Sequence, residues 1–232
     1  MTAAPTFAPV EAPTAAERPA LRIGRRVAAA ALVLGAAGNT AEAVLGGVVG
    51  DKPEAVADQL RLVAEQGGLI TTMLVAGTLA VPLMAVGFVA TAQLLHPRAA
   101  RTAWVAGSLL VAGMFGFLGM HVLELIGFAA LRAGDAAAAG FLSGEVYEDG
   151  LLEVLFGQSF FVGVVAGMLL LCGALLVTGA VPRWIGACWL AFILLDFSIG
   201  SVGPVDPHWL FLAGAVGLAA QLTRAGARPG NA

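Results

Sequence analysis

Apolar residues in this chain come in long unbroken runs, not in the alternation of a strand or the single stripe of a soluble helix. Six such runs cover residues 27–49, 69–95, 102–131, 152–180, 184–201 and 208–223. A helix needs about 20 apolar residues to cross the hydrocarbon core of a bilayer. The first four runs reach that length, and the longest must tilt or project into water. The last two lie near the lower limit. Between them SVGPVDP carries Pro204, Pro207 and Gly203, which forbid one continuous helix. The pattern predicts an all-α, polytopic membrane protein with six transmembrane helices in a compact bundle.

The polar segments divide the chain further. Residues 1–20, rich in Ala, Pro and Thr without any period, read as a disordered tail. Residues 21–226 form the membrane domain and 227–232 a short C-terminal tail. The start GRRVAAAALVLGAAGNTAEA also has the layout of a secretory signal, whose removal leaves five spans. Two features argue against cleavage. The apolar pattern resumes at AVLGGVVG without a polar mature start, and Glu42 joins a pattern of acids described below. In PEAVADQLRLVAEQ, residues 53–66, the helical spacing of Val56, Leu60 and Val63 predicts a short amphipathic helix on the membrane surface. Gly67-Gly68 should break it. Residues 132–151 are acidic and rich in Ala and Gly, and read as a mobile, solvated loop. Either segment can lid a cavity, but an ordinary connector is the plainer reading.

Composition agrees with the pattern. Hydrophobic residues make up 59% of the 232 positions and charged ones 12%, against about 25% charged in soluble domains. Mean hydropathy is +0.90. The placement of charge says more than the net value of −3. With the N-terminus inside, Arg18, Arg22, Arg25, Arg26, Arg98, Arg101, Arg183, Arg224 and Arg228 share one face, and only Lys52, Arg61 and Arg132 lie on the other. By the positive-inside rule both termini are cytoplasmic. The acids Asp51, Glu54, Asp58, Glu65, Asp135, Glu145, Glu148, Asp149, Glu153 and Asp206 all fall outside. Trp104 and Trp184 mark inner interfaces and Trp209 an outer one. The expected location is the cytoplasmic membrane of a bacterium, and the expected partner is the lipid bilayer. No basic stripe beside aromatics points to nucleic acid. Cys172 and Cys188 lie in apolar runs, form no metal spacing, and read as small core residues.

Packing is legible in the glycines. Gly113, Gly116 and Gly119 in the third span, Gly163 and Gly167 in the fourth, and Gly214 and Gly217 in the sixth permit close backbone approach. Pro82 should kink the second span and free a carbonyl.

Candidate chemistry comes from polar residues inside the runs. His121 and Glu124 lie one turn apart on one helix face. Charged groups facing lipid are costly, so they should face the bundle interior or a watery cavity. Glu124 sits about 10 Å below the outer end of its helix, at about 1.5 Å per residue. Asn39 and Glu42, Asp196, and Gln158 with Ser159 fall at similar depth, and Thr71, Thr72 and His208 lie nearer the outer ends. The inner halves hold almost no ionisable group. This predicts a polar chamber open to the outside and sealed below by apolar packing. The candidate ligand-binding residues are His121, Glu124, Glu42, Asn39, Asp196 and Gln158. The odd-numbered spans each leave a basic inner edge (GRRVAA, HPRAARTAWVAG, VPRWIGA) and carry an outer carboxylate, a pattern a triplicated hairpin would produce.

Three readings of the chamber stay open. It is a structural network, with interhelical polar bonds of roughly 1 kcal/mol or less each. It binds or transports a small molecule or ion, since acids at one depth can bind a cation or relay protons. Or it is an intramembrane enzyme, using a buried carboxylic acid on an isoprenoid or lipid, or a metal held by His121, Glu124, Glu42 and Asp196. A lone histidine at that depth is thin for a metal hydrolase, so no metal and no cofactor is assigned. Aromatics at 7% are sparse for cation–π stabilisation. Phe115, Phe117, Phe128, Phe156, Phe160, Phe161 and Phe197 read as packing residues.

Pro182, Arg183 and Trp184 at a helix entrance, VPRWIGACWLAFILLD before a short final helix, and the late glutamate of HVLELIGF resemble an uncharacterised family of bacterial six-helix integral membrane proteins, a domain of unknown function. The resemblance covers about residues 22–226 and implies fold and membrane location only. A weaker similarity is to small integral-membrane terpene cyclases, which typically have seven spans and more aromatics. Binding or transport at an outward-facing polar chamber is the expected function, with the enzyme and the structural or accessory subunit as alternatives.

Overall fold

The computed structural model describes residues 23–144, 146, 149–200 and 206–224. Both expected tails and most of the SVGPVDP segment lie outside these residues. Every regular element described is helical: α1 (Arg25–Val49), α2 (Val56–Leu95), α3 (Ala100–Arg132), the short α4 (Ala136–Ser143), α5 (Gly150–Thr178), α6 (Arg183–Ser198) and α7 (His208–Arg224). α5 includes a π-helical stretch, Glu153–Gln158, near its start. Four of them, α1, α2, α3 and α5, are long and apolar enough to cross a membrane. α6 and α7, at 16 and 17 residues, are shorter.

The six longer helices close a ring. α1 packs on α2, α2 on α3, α3 on α5, α5 on α6, α6 on α7, and α7 returns to α1. Neighbours joined by short connections run antiparallel, and small residues set the register. Along α1, Gly35, Gly38 and Gly46 lie against Met84, Ala80 and Met73 of α2, so one number rises as the other falls. The same holds where Gly113 and Gly116 of α3 meet Val164 and Phe160 of α5. Trp189 of α6 lies over Gly214 of α7 and donates its indole N–H to the Phe211 carbonyl at 3.0 Å.

Burial is uneven along the ring. The main core fills the half that carries the start of α1 and the end of α2, with Leu32, Met84, Leu95, Leu110, Met168, Leu171, Ile185, Trp189 and Leu218 nearly sealed. Arg25, Arg98, Arg101, Arg183 and Arg224 sit at helix termini at this end. Among the described residues, the opposite half holds a small apolar cluster of Ile70, Leu74 and Phe128, packed by Leu62, Val63 and Met73. Many large apolar side chains point out of the ring, among them Trp104 at 70% and Val177 at 83% exposure. A protein surface this apolar calls for lipid or a partner.

Two local features differ from expectation. The amphipathic segment and the second span form one helix, kinked where Gln66 leaves helical dihedrals (φ −123°, ψ 15°), one residue before the glycine pair. Two glycines weaken a helix but do not forbid it, and packing on Phe128 holds both halves. Pro82 lies inside α2, where its missing N–H removes one helical hydrogen bond. The loop expected over 132–151 contains α4. Its alanines are the best helix formers, the Asp135 carboxylate caps it by accepting from the Ala138 N–H at 3.0 Å, and Ala139 is buried beneath it.

Candidate functional site

Glu42 leaves α1 toward α2, and the position it reaches on α2 is Gly77. A Cβ there would overlap the Glu42 carboxyl group. The absence of a side chain at Gly77 is therefore what admits the carboxylate. From α3, His121 approaches the same point. Its Nε2 lies 2.7 Å from Glu42 Oε1, and its Nδ1 lies 3.0 Å from the Phe117 carbonyl oxygen.

That geometry assigns the imidazole. A carbonyl only accepts, so Nδ1 carries a proton and donates it to Phe117. Nε2 then faces Glu42, with a proton held between ring and carboxylate. The Phe117 ring packs edge-on to the imidazole at 4.3 Å and stacks on Phe160 at 4.6 Å. His121 is 3% exposed, and its orientation is locked by these contacts. Glu124 follows one turn later. One ligand-type atom from each of Glu42, His121 and Glu124 lies within 4.8 Å of the others.

Burial is graded across the three: His121 is sealed, Glu42 half-buried and Glu124 exposed. Glu124 opens into a cavity of about 240 Å³. Its walls are mainly apolar, with Ile70, Leu74 and Leu123 beside Phe128, while Lys52 and Gln59 add polar groups. Ala139 and Leu142 of α4 contribute to the lining. The Gln59 amide donates to the Pro53 carbonyl at 2.8 Å, tying the α1–α2 connection to the cavity rim.

The other expected residues lie elsewhere. Asn39 is buried on α1, one turn before Glu42. Asp196 of α6 lies 3.7 Å from His208 Nδ1, and that nitrogen is 2.7 Å from Asp206 Oδ1. Asp206, buried, also accepts from the His208 backbone N–H at 2.8 Å. Gln158 is exposed on the π-helical stretch and donates to Glu153 at 3.2 Å. Thr71 and Thr72 donate back to Gly67 and Gly68.

The polar residues of similar depth thus divide among separate partners, and two of the groupings lie beside α1. The Thr40 hydroxyl lies 3.1 Å from the His208 carbonyl, while Glu42 meets His121. Two residues on a helix are about 200° apart, so the groups flank α1 on opposite sides.

Gly77 was not a candidate from sequence, and no local signal marks it among the chain's 31 glycines. The role of Asp206 was legible: Asp-Pro before a helix signals a side-chain-to-backbone turn. Comparison with protein-family models, with curated proteins and with solved structures gave no match.

Proposed function

We propose that this chain is a six-span membrane protein that binds or transports a small ligand or ion in the cavity between α1, α2 and α3, with Glu124, His121 and Glu42 at its polar end. One observation carries this reading. A cluster of ionisable side chains from two helices reaches an apolar cavity through Glu124, its exposed member, instead of being packed away on every side. Ligand sites are typically apolar with a few convergent polar groups. The volume suits an ion or a small molecule with a short apolar part.

Closure of the ring supports six spans. α6 and α7 fill the gap between α5 and α1, and 16 residues reach about 24 Å at about 1.5 Å per residue. That is about 6 Å short of the roughly 30 Å hydrocarbon core, a mismatch that local bilayer thinning accommodates. The arginines gathered at one end support cytoplasmic termini and a cavity opening outward in the cell membrane. Reporter fusions test the orientation. A periplasmic-type phosphatase is expected to be silent after Ala232 and active when inserted at Ala137. The reverse pattern overturns the orientation.

Native mass spectrometry of protein purified in mild detergent tests the binding reading. Wild type is expected to retain a species beyond bulk lipid that a His121→Ala/Glu124→Gln double variant loses. Bulk lipid alone in both proteins favours the structural network instead.

A further inference from the structure

The hydrogen bond from His121 Nδ1 to the Phe117 carbonyl has a second consequence. Metal-ligating histidines commonly donate the other ring N–H to a carbonyl or carboxylate, which fixes the tautomer and aims the free lone pair at the ion. Here that lone pair is aimed at Glu42, with Glu124 within reach. Glu42 and Glu124 thus bring two carboxyl groups to the ring nitrogen, and an ion that takes the place of the proton between Nε2 and Glu42 would be within reach of all three side chains.

We propose that Glu42, His121 and Glu124 hold a divalent transition-metal ion of the zinc class at the polar end of the cavity. The inference deepens the ligand-binding reading and rests on it. Zinc-class ions take imidazole and carboxylate donors at about 2.0–2.2 Å, which places tetrahedral ligand atoms about 3.4 Å apart. The three donor atoms lie within 4.8 Å of one another. The His121–Glu42 pair, now at 2.7 Å, opens slightly as the ion replaces the proton between them, and Glu124 closes in by rotamer change. Three protein ligands leave a coordination position free on the exposed, cavity side. A donor group on a molecule in the cavity would complete the set. The imidazole selects against calcium and magnesium, which take oxygen ligands.

The test uses the full chain in detergent, stripped with a chelator and titrated with Co²⁺ by visible absorption, then with Zn²⁺ in competition. The expected result is saturable binding of one equivalent, displaced by Zn²⁺ but not by Mg²⁺ or Ca²⁺. Affinity should fall at least about tenfold, the scale of losses at metal-site residues, in both His121→Ala and Glu124→Gln. Because His121 is buried, its variant needs a helical circular dichroism spectrum to count. Glu124, on the cavity wall, supplies a variant with an exposed site of change. No saturable binding by folded wild type overturns the proposal, and so does affinity unchanged in Glu124→Gln. If wild type shows no saturable metal binding yet retains an organic species that the double variant loses, the metal inference fails while the ligand-binding reading stands. If neither metal nor organic species is held, both fail.

Discussion

Replacing Gly163 by alanine is expected to be among the most damaging single-methyl changes in this protein. A Cβ at Gly163 would lie 2.6 Å from the Gly113 nitrogen and 2.6 Å from the Leu109 carbonyl oxygen. Both neighbours are α3 backbone, so no rotamer change relieves the clash. The helices must separate. Separation also loosens Gly116 against the Phe160 backbone and Gly167 against Leu110, which depend on the same approach. In lipid, close packing is a main source of helix association, so each lost contact counts. Overpacking of this kind costs about 1–3 kcal/mol, and the upper end applies where backbone meets backbone. Gly173 of the same helix provides the control, because nothing lies within 4 Å of a Cβ placed there. Gly173→Ala is expected to be neutral or slightly stabilising, by at most about 1 kcal/mol from helix propensity. Thermal unfolding in mild detergent measures both. Equal unfolding temperatures for the two variants would show that the α3–α5 contact does not carry the bundle.

Gly77→Ala should behave in the opposite manner, with a small effect on stability and a large one on the site. The new methyl group would meet the end of the Glu42 side chain, not backbone. A carboxylate can swing away, and alanine's higher helix propensity offsets part of the cost. The swing breaks the 2.7 Å contact with His121 and removes Glu42 from the cluster. Unfolding temperature should stay near that of wild type. Retention of any bound species, metal or organic, should fall at least about tenfold, as with other residues that position a site. A Gly77→Ala protein that binds as wild type does would show that Glu42 contributes nothing to binding. The two glycines thus separate what holds the helices together from what the site requires.

The apolar cavity and the sealed core lie in opposite halves of one ring, and this asymmetry follows from where the polar residues fall. Leu95, Leu110, Leu175 and Ile185 close one half completely. Glu42, His121 and Glu124 interrupt apolar packing in the other, and α4 with Gln59 covers part of the gap. Exposure falls from Glu124 through Glu42 to the sealed His121.

Much of this was legible from sequence because it is local. Run length predicts helices, and the helical repeat alone puts His121 and Glu124 on one face. The glycines at 113, 116, 163, 167, 214 and 217 mark faces of close approach, and the structure has each of them against a neighbouring helix. Depth, too, follows from counting residues along an axis. Depth does not specify direction, however. Asn39, Glu42, Gln158 and Asp196 share a depth with His121, yet only Glu42 meets it. Asp196 turns to His208 and Asp206, and Gln158 to Glu153.

What decides such pairings is the rotation of each helix about its axis and its register against its neighbours. Both are set by which small residues let two backbones approach, as at Gly77 beneath Glu42 and Gly113 against Gly163. The sequence by itself determined the helices, their apolar lengths, the polar level and the charge bias of their ends. Only the tertiary structure decided that the residues of one polar level divide among separate partners, with two clusters flanking α1, that α4 forms over the cavity, and that a glycine on α2 admits the carboxylate on α1. The physical reason is that helical periodicity arises from hydrogen bonds within four residues, whereas partner choice across helices depends on contacts between residues far apart in the chain.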